Sequence, residues 1–289
     1  MWEEKIAVVP PYNFQRVLQR QSLDPLNKID AVKKEVYVPI RDRNGEPHVV
    51  AVRETGSVEH PEFSIKSKNS SQKEYLLQEI RRIFQWDIPL SDIQRHFQDS
   101  NLSLIFEEHA GTPLVLDFDL YHCIMKCIIH QQLNLTFAFT LTERFVKTFG
   151  EEHEGVWFYP LPETIAALQY EDLKKLQFSG RKAEYAIDTS KRISSGELNL
   201  QELTKAGDQE IYDKLIKIRG IGPWTIQNVL LFGLGRPNLF PVTDIGIQNA
   251  LKKHFGLEKK PSLEQMEEYS KLWEPYLSYA SLYLWRSIE

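Results

Sequence analysis

The sequence predicts an α+β chain in which a small antiparallel-sheet N-terminal domain packs on a larger all-α body. Two observations carry that prediction. β-rich runs cluster in the first seventy residues, and from about residue 120 onward apolar residues recur at helical spacing with no strand pattern among them. The 289 residues suffice for two domains, expected at 1–112 and 113–289. A hydrophobic content of 42% with 26% charged residues rules out a disordered or fibrous chain.

In chain order, the runs 35–40 and 48–53 flank Arg41-Asp42-Arg43-Asn44-Gly45-Glu46. The Asn-Gly pair there supplies the positive φ of a tight hairpin turn. A third strand is expected at 62–66, and a helix at 71–87 puts Tyr75, Leu76, Ile80, Ile83 and Phe84 on one face. Helices then follow at 121–132, 136–149, 162–168, 170–176, 182–194, 208–218, 223–231, 245–255 and 263–288. Gly150, Gly180, Gly196, Gly207, Gly220, Gly235 and Gly256 stand at their breaks, where turns are needed.

Composition excludes several classes of function. No apolar run approaches the ~20 residues that span a bilayer, and the N-terminus lacks a secretion signal, so no membrane partner and a cytoplasmic location are expected. Cys123 and Cys127 lie one helical turn apart in an apolar stretch and read as reduced core residues. Too few thiolates remain for a zinc or iron–sulfur protein. The net charge of −5 argues against a nucleic-acid partner. Between residues 205 and 260, however, nine Lys/Arg meet five Asp/Glu, which permits a locally basic face.

The chemistry concentrates in Leu215-Ile216-Lys217-Ile218-Arg219-Gly220-Ile221-Gly222-Pro223-Trp224-Thr225-Ile226. One helix ends, a turn with two glycines follows, and Pro223 opens the next helix, where its missing N–H costs nothing. Such a turn offers backbone N–H groups beside a positive helix end, a seat for phosphate. Gly220 and Gly222 lack a Cβ that would keep a nucleic-acid backbone away. A plain helical corner is the alternative. Downstream, Gly233-Leu234-Gly235-Arg236-Pro237-Asn238-Leu239-Phe240-Pro241-Val242-Thr243 leads to Asp244 at the start of the predicted 245–255 helix. Spacing alone makes Asp244 a helix cap.

These segments resemble the helix-hairpin-helix DNA glycosylase superfamily, with the hairpin at about 209–233. Ile128-Ile129-His130-Gln131-Gln132-Leu133 is similar to the helix end that these enzymes direct at the minor groove. Pro10-Pro11-Tyr12-Asn13-Phe14 and the stretch from Trp273 through Trp285 resemble the ends of 3-methyladenine DNA glycosylase II, the AlkA-type branch. The resemblance implies base flipping and hydrolysis of the N-glycosidic bond of alkylated purines in duplex DNA, by a monomer without a cofactor. It assigns Asp244 as the catalytic carboxylate. It assigns Trp224 and Trp285, with Tyr12, to a base pocket, since a cationic base stacks on electron-rich rings. Trp273 is expected in the core.

Arg219, Gly220, Ile221, Gly222 and Thr225 are expected at DNA, with an alkali-metal ion on the hairpin carbonyls as in relatives. Gln131, Gln132 and Leu133 are expected at the gap left by the base, Gln132 or Leu133 as the wedge. Bifunctional members carry a lysine two residues after the last hairpin glycine; Trp224 stands there, so water is the expected nucleophile. One departure stands out: Asn228 replaces a tyrosine expected in the branch. Alternatives are a glycosylase for other damaged or mispaired bases, or a non-catalytic DNA-binding protein.

Overall fold

The computed structural model describes residues 1–288. Five strands form one antiparallel sheet: β1 Trp2–Ala7, β2 Lys28–Asp30, β3 Glu35–Arg41, β4 Pro47–Glu54 and β5 Glu62–Ser67. Their order is β1-β5-β4-β3-β2, with Val36 opposite Val52 and Val52 opposite Ile65. That register stacks Val36, Val38, Val50, Val52, Phe63 and Ile65 in the core, all buried. In the β3–β4 turn only Gly45 takes a positive φ, +83°. Asp42 Oδ1 accepts from the amides of Asn44 and Glu46, so the turn spans more than the Asn-Gly pair.

Helices α1 Phe14–Gln21, α2 Lys73–Phe84, α3 Leu90–Phe97 and α4 Ser103–Glu108 cover this sheet region. Helices α5 Leu120–His130 and α6 Leu135–Phe149 follow. A short hairpin then appears, β6 Glu151–His153 and β7 Val156–Phe158. This corrects the expectation that strands end before residue 120. A three-residue run is too short to show a period of two, and the hairpin is held by tertiary contacts. Val156 and Phe158 pack on Val49, and Arg41 of the main sheet pairs with Glu151 at 2.7 Å.

Next come α7 Pro162–Ala166, α8 Tyr170–Lys175, α9 Gly180–Ser194, α10 Leu200–Lys205, α11 Asp208–Leu215 and α12 Pro223–Asn228. A π turn, Val229–Gly233, extends α12, and α13 Ile245–His254, α14 Leu263–Ser270 and α15 Leu277–Arg286 complete the chain. The single helix expected at 263–288 is therefore two, because Pro275 denies an amide to the ladder.

Two hydrophobic cores result. One joins the sheet and α1–α4 to α13–α15; in it Phe106 lies between Phe97 and Tyr283, its ring 3.8 and 4.0 Å from theirs. The other is built from α5–α12 around Ile124, Ile128, Ile187, Ile211 and Ile226. The cleft between them holds the site.

Candidate active site

α11 ends at Leu215, three residues before the predicted end, so the hairpin connection runs through 216–222. Gly220 has φ +94°, and a Cβ there would stand 2.1 Å from the Tyr185 ring. Its missing side chain is thus taken up by internal packing. Gly222 differs: nothing lies within 4 Å of an added Cβ, so its face is open. Ile221 is buried, and so is Thr225. Arg219 is exposed and pairs with Glu184 at 3.1 Å.

Gln131 joins two of the predicted motifs. Its Nε2 donates to Gly220 O at 2.8 Å and to Thr225 Oγ1 at 3.0 Å, so it holds the hairpin loop rather than projecting outward. Gln132 is exposed with φ +56°, while Leu133 packs partly against the second core. The carbonyls before this turn are held by a residue that sequence reasoning missed. Lys182 Nζ donates to the carbonyls of Ile128, Ile129 and Gln131 at 3.1, 2.8 and 2.6 Å. Burial pulls its ammonium down to about 8. His130 bonds Thr142 Oγ1 at 3.0 Å, and burial lowers its imidazole to about 4.

The loop from Gly233 to Asp244 is pinned by α15. Ser278 Oγ donates to Arg236 O at 2.6 Å and accepts from the Leu239 amide at 3.0 Å, while the Ser278 amide donates to Pro237 O at 2.9 Å. Asp244 follows as the N-cap of α13. Its Oδ1 accepts from the Ile247 amide at 2.9 Å and from Trp285 Nε1 at 2.8 Å. Capping and the site geometry therefore coincide on one oxygen. Among the described residues no donor reaches Oδ2. Gly246 permits this contact, since a Cβ there would sit 3.0 Å from Asp244 Oδ1 and 3.1 Å from Trp285 Cδ1.

Asp244, Trp285, Trp224 and Asn228 line one cavity of about 700 Å³. Trp224 is 45% exposed, which leaves its ring face available for stacking. Asn228 Nδ2 donates to Trp224 O at 2.8 Å. Phe232, aimed by the π turn, forms another wall, as π turns often place side chains at sites. Arg16 and Arg20 of α1 and Arg286 of α15 also line it.

Tyr12 is not part of this cavity, contrary to the expectation. It is 1% exposed, its hydroxyl donates to Phe84 O at 2.8 Å, and its ring meets Phe63 edge-on. A tyrosine beside an apolar sheet packs there because its one polar atom finds a carbonyl. Trp273 is fully buried, as expected. The contribution of α1 was missed, although Asn13 before Phe14, Val17, Leu18 and Gln21 is a legible cap and helical stripe.

One carboxylate and two indoles thus share a cavity, and the glycine hairpin leads directly into the helix that brings Trp224 to it. The model of the HhH-GPD superfamily of base excision DNA repair proteins matches residues 125–275. YfjP of Bacillus subtilis, provisionally named a DNA-3-methyladenine glycosylase, is 62% identical over the full length of both chains. A second protein of that organism, named DNA-3-methyladenine glycosylase, is 37% identical over 58% of this chain and 57% of its own. Among solved structures, 3-methyladenine DNA-glycosylase from Archaeoglobus fulgidus has the same fold, with a TM-score of 0.86 at 22% identity, covering 99% of this chain and 97% of that one. The chain belongs to the HhH-GPD superfamily of base excision DNA repair proteins.

Proposed function

We propose that the protein is a monofunctional DNA glycosylase that frees alkylated purines from duplex DNA and leaves an intact abasic strand. The observation that carries this reading is the Asp244–Trp285 hydrogen bond inside a cavity that Trp224 also lines. Departure of a base builds positive charge on the sugar, and a carboxylate in a shielded cleft stabilises that charge. With Oδ1 held by two donors, Oδ2 faces the sugar and orients the attacking water. A base already cationic through alkylation leaves without a second acid, and stacks on Trp224 with a cation–π contact of ~2 kcal/mol when desolvated.

The hairpin holds phosphate through its amides at Gly222, and Gln132, exposed in a left-handed turn, is the wedge that fills the gap. Gly220, Ile221, Thr225 and Gln131 shape that loop from within, and Arg219 adds charge at its rim. An alkali ion would fit on the hairpin carbonyls, where Gly220 O already accepts one hydrogen bond and keeps its second lone pair. The reading takes the protein as a monomer of the cytoplasm. No helix of the described residues is long and apolar enough to cross a membrane.

Supporting hydrolysis over an amine mechanism, no lysine lines the Asp244 cavity among the described residues, and Lys217 is exposed on the far side of the hairpin turn in sequence. The test combines chromatography of bases freed from methylated duplex DNA with borohydride trapping. Freed methylpurine, uncut strand and no trapped adduct are expected. An adduct forming as fast as base release would establish an amine nucleophile and overturn the monofunctional assignment.

A further inference from the structure

The Phe232 carbonyl stands at the end of a helix that does not supply it with a donor. The π turn closes with the Leu234 amide donating to Val229 O and the Arg236 amide donating to Leu230 O, each at 3.0 Å. The next residue in line, Pro237, has no amide N–H to give. A helix-end carbonyl left in this way finds its donor elsewhere, because an orphaned one costs about 1–3 kcal/mol when buried. Here the donor is the Asp117 amide, at 2.8 Å.

Asp117 belongs to the connection between α4 and α5, which ties the two cores together. Toward the sheet region, the Leu116 amide donates to Ile83 O of α2 at 2.9 Å, and Arg82 Nη2 donates to Phe118 O at 2.9 Å. Toward the helical body, the largely buried Asp117 carboxylate is ion-paired with Lys126 of α5. Burial would lift that carboxyl, but the ammonium beside it prevails and holds it down at about 2, so the pair stays charged at neutral pH. Phe232 is thus fixed at its backbone. Its ring is held as well. The Arg20 guanidinium lies over it, 4.1 Å from the centroid, and the Trp285 ring packs 6.1 Å away at a tilt of 32°. Trp285 in turn donates to Asp244 Oδ1.

We propose that Asp117 is a positioning residue for base release: anchored by Lys126, it seats Phe232, which braces the Trp285 indole and so sets the carboxylate of Asp244. The proposal rests on the glycosylase reading above. A buried ion pair adds little net stability, because desolvation offsets most of the attraction, but it favours one arrangement over its alternatives. That is what this connection requires. The Asp117 amide meets the Phe232 carbonyl only while the chain around residue 117 keeps its place between α2 and α5. A shift of about 1 Å there would pass through the two rings to Asp244, and a displacement of that size at a reacting group slows a reaction by up to about 100-fold. Asp117 and Lys126 act without touching the reacting atoms.

The test uses the full-length protein with isotope-labelled tryptophan, in which the Trp285 indole N–H resonance is assigned by its loss in Trp285→Phe. That resonance depends on the hydrogen bond to Asp244, and a general loss of stability does not move it. Asp117→Leu combined with Lys126→Met replaces the pair by apolar groups of similar volume, a change that folded proteins commonly tolerate. It should shift the Trp285 resonance and lower single-turnover release from methylated duplex DNA by about tenfold or more. Phe232→Leu should do the same, and adding the pair substitutions to it should change neither quantity further. An unmoved resonance in the pair variant, or losses that multiply in the combined variant, overturns the assignment. If the pair variant does not fold, Asp117→Asn, which keeps the shape and weakens the pair, is read in the same way. A wild type that frees no base, beside a pair variant that shifts the resonance, would mean that the glycosylase reading has failed while the seating of Trp285 stands.

Discussion

At the scale of single residues, Asp244 shows how two physical roles share one side chain. Its Oδ1 caps α13 and accepts from Trp285, so replacing the carboxylate by an amide should retain the fold while removing charge. Asp244→Asn is expected to lower single-turnover base release by at least ~10³-fold, with binding to an abasic-site analogue changed by less than about threefold. Near-normal release would dismiss Asp244 as the catalytic group. Lys182 gives a pH signature. Between about 8 and its unfolded value of 10.5, the folded chain has released a proton that the unfolded chain keeps, so desolvation of this lysine weakens the fold below pH 8 and the penalty disappears as pH rises. The turn it holds behaves in the opposite sense, because the neutral amine has only two N–H groups for three carbonyls. Affinity for an abasic-site analogue should fall severalfold from pH 7 to pH 9, and Lys182→Arg should remove the fall, since guanidinium stays charged. Parallel falls in both proteins would exclude the role. Asp244 was legible through its neighbours in sequence; its partner Trp285, 41 residues away, is linked to it only by folding.

Among elements, the loop that delivers Asp244 is held by α15 as well as by its own glycines. Ser278 is fully buried and satisfies two loop groups that would otherwise be orphaned, the Leu239 amide and the Arg236 carbonyl. Ser278→Ala should cost about 1–3 kcal/mol in urea unfolding and slow base release, as the loop loses its seat. Unchanged stability would show that water replaces the hydroxyl. A serine in an apolar helix gave no sign of this in the sequence. The hairpin itself was legible, because Gly-x-Gly-Pro fixes a turn and a helix start. Which glycine served packing was not, since Tyr185, which fills the space beside Gly220, lies on α9.

On the scale of the molecule, the sheet and helical body were readable from periodicity, whereas the pairing of the two ends of the chain was not. α15 enters the core of the sheet region, with Tyr283 stacked on Phe106. Phe106→Ala is expected to destabilise the protein by about 3–5 kcal/mol and to shift loss of the sheet's circular dichroism and loss of base release together on a urea curve. Transitions that separate would show that α15 holds its place without that stack. The overall charge of −5 misleads in the same way, because arginines from α1 and α15 gather at one cleft despite their distance along the chain.

The hydrogen bond between Asp244 and Trp285 also sets a schedule. During synthesis the sheet region emerges first and the hairpin later, and each can begin to bury apolar surface as it appears. A growing chain that has passed Asp244 already carries the hairpin and the first indole, which the glycosylase reading assigns to DNA binding. It still lacks the second indole, which holds Asp244 Oδ1, and the helix whose serine pins the loop. Activity therefore arrives after grip. On that reading, a partly made chain does not yet release bases, because Asp244 Oδ1 lacks its Trp285 partner until α15 is in place.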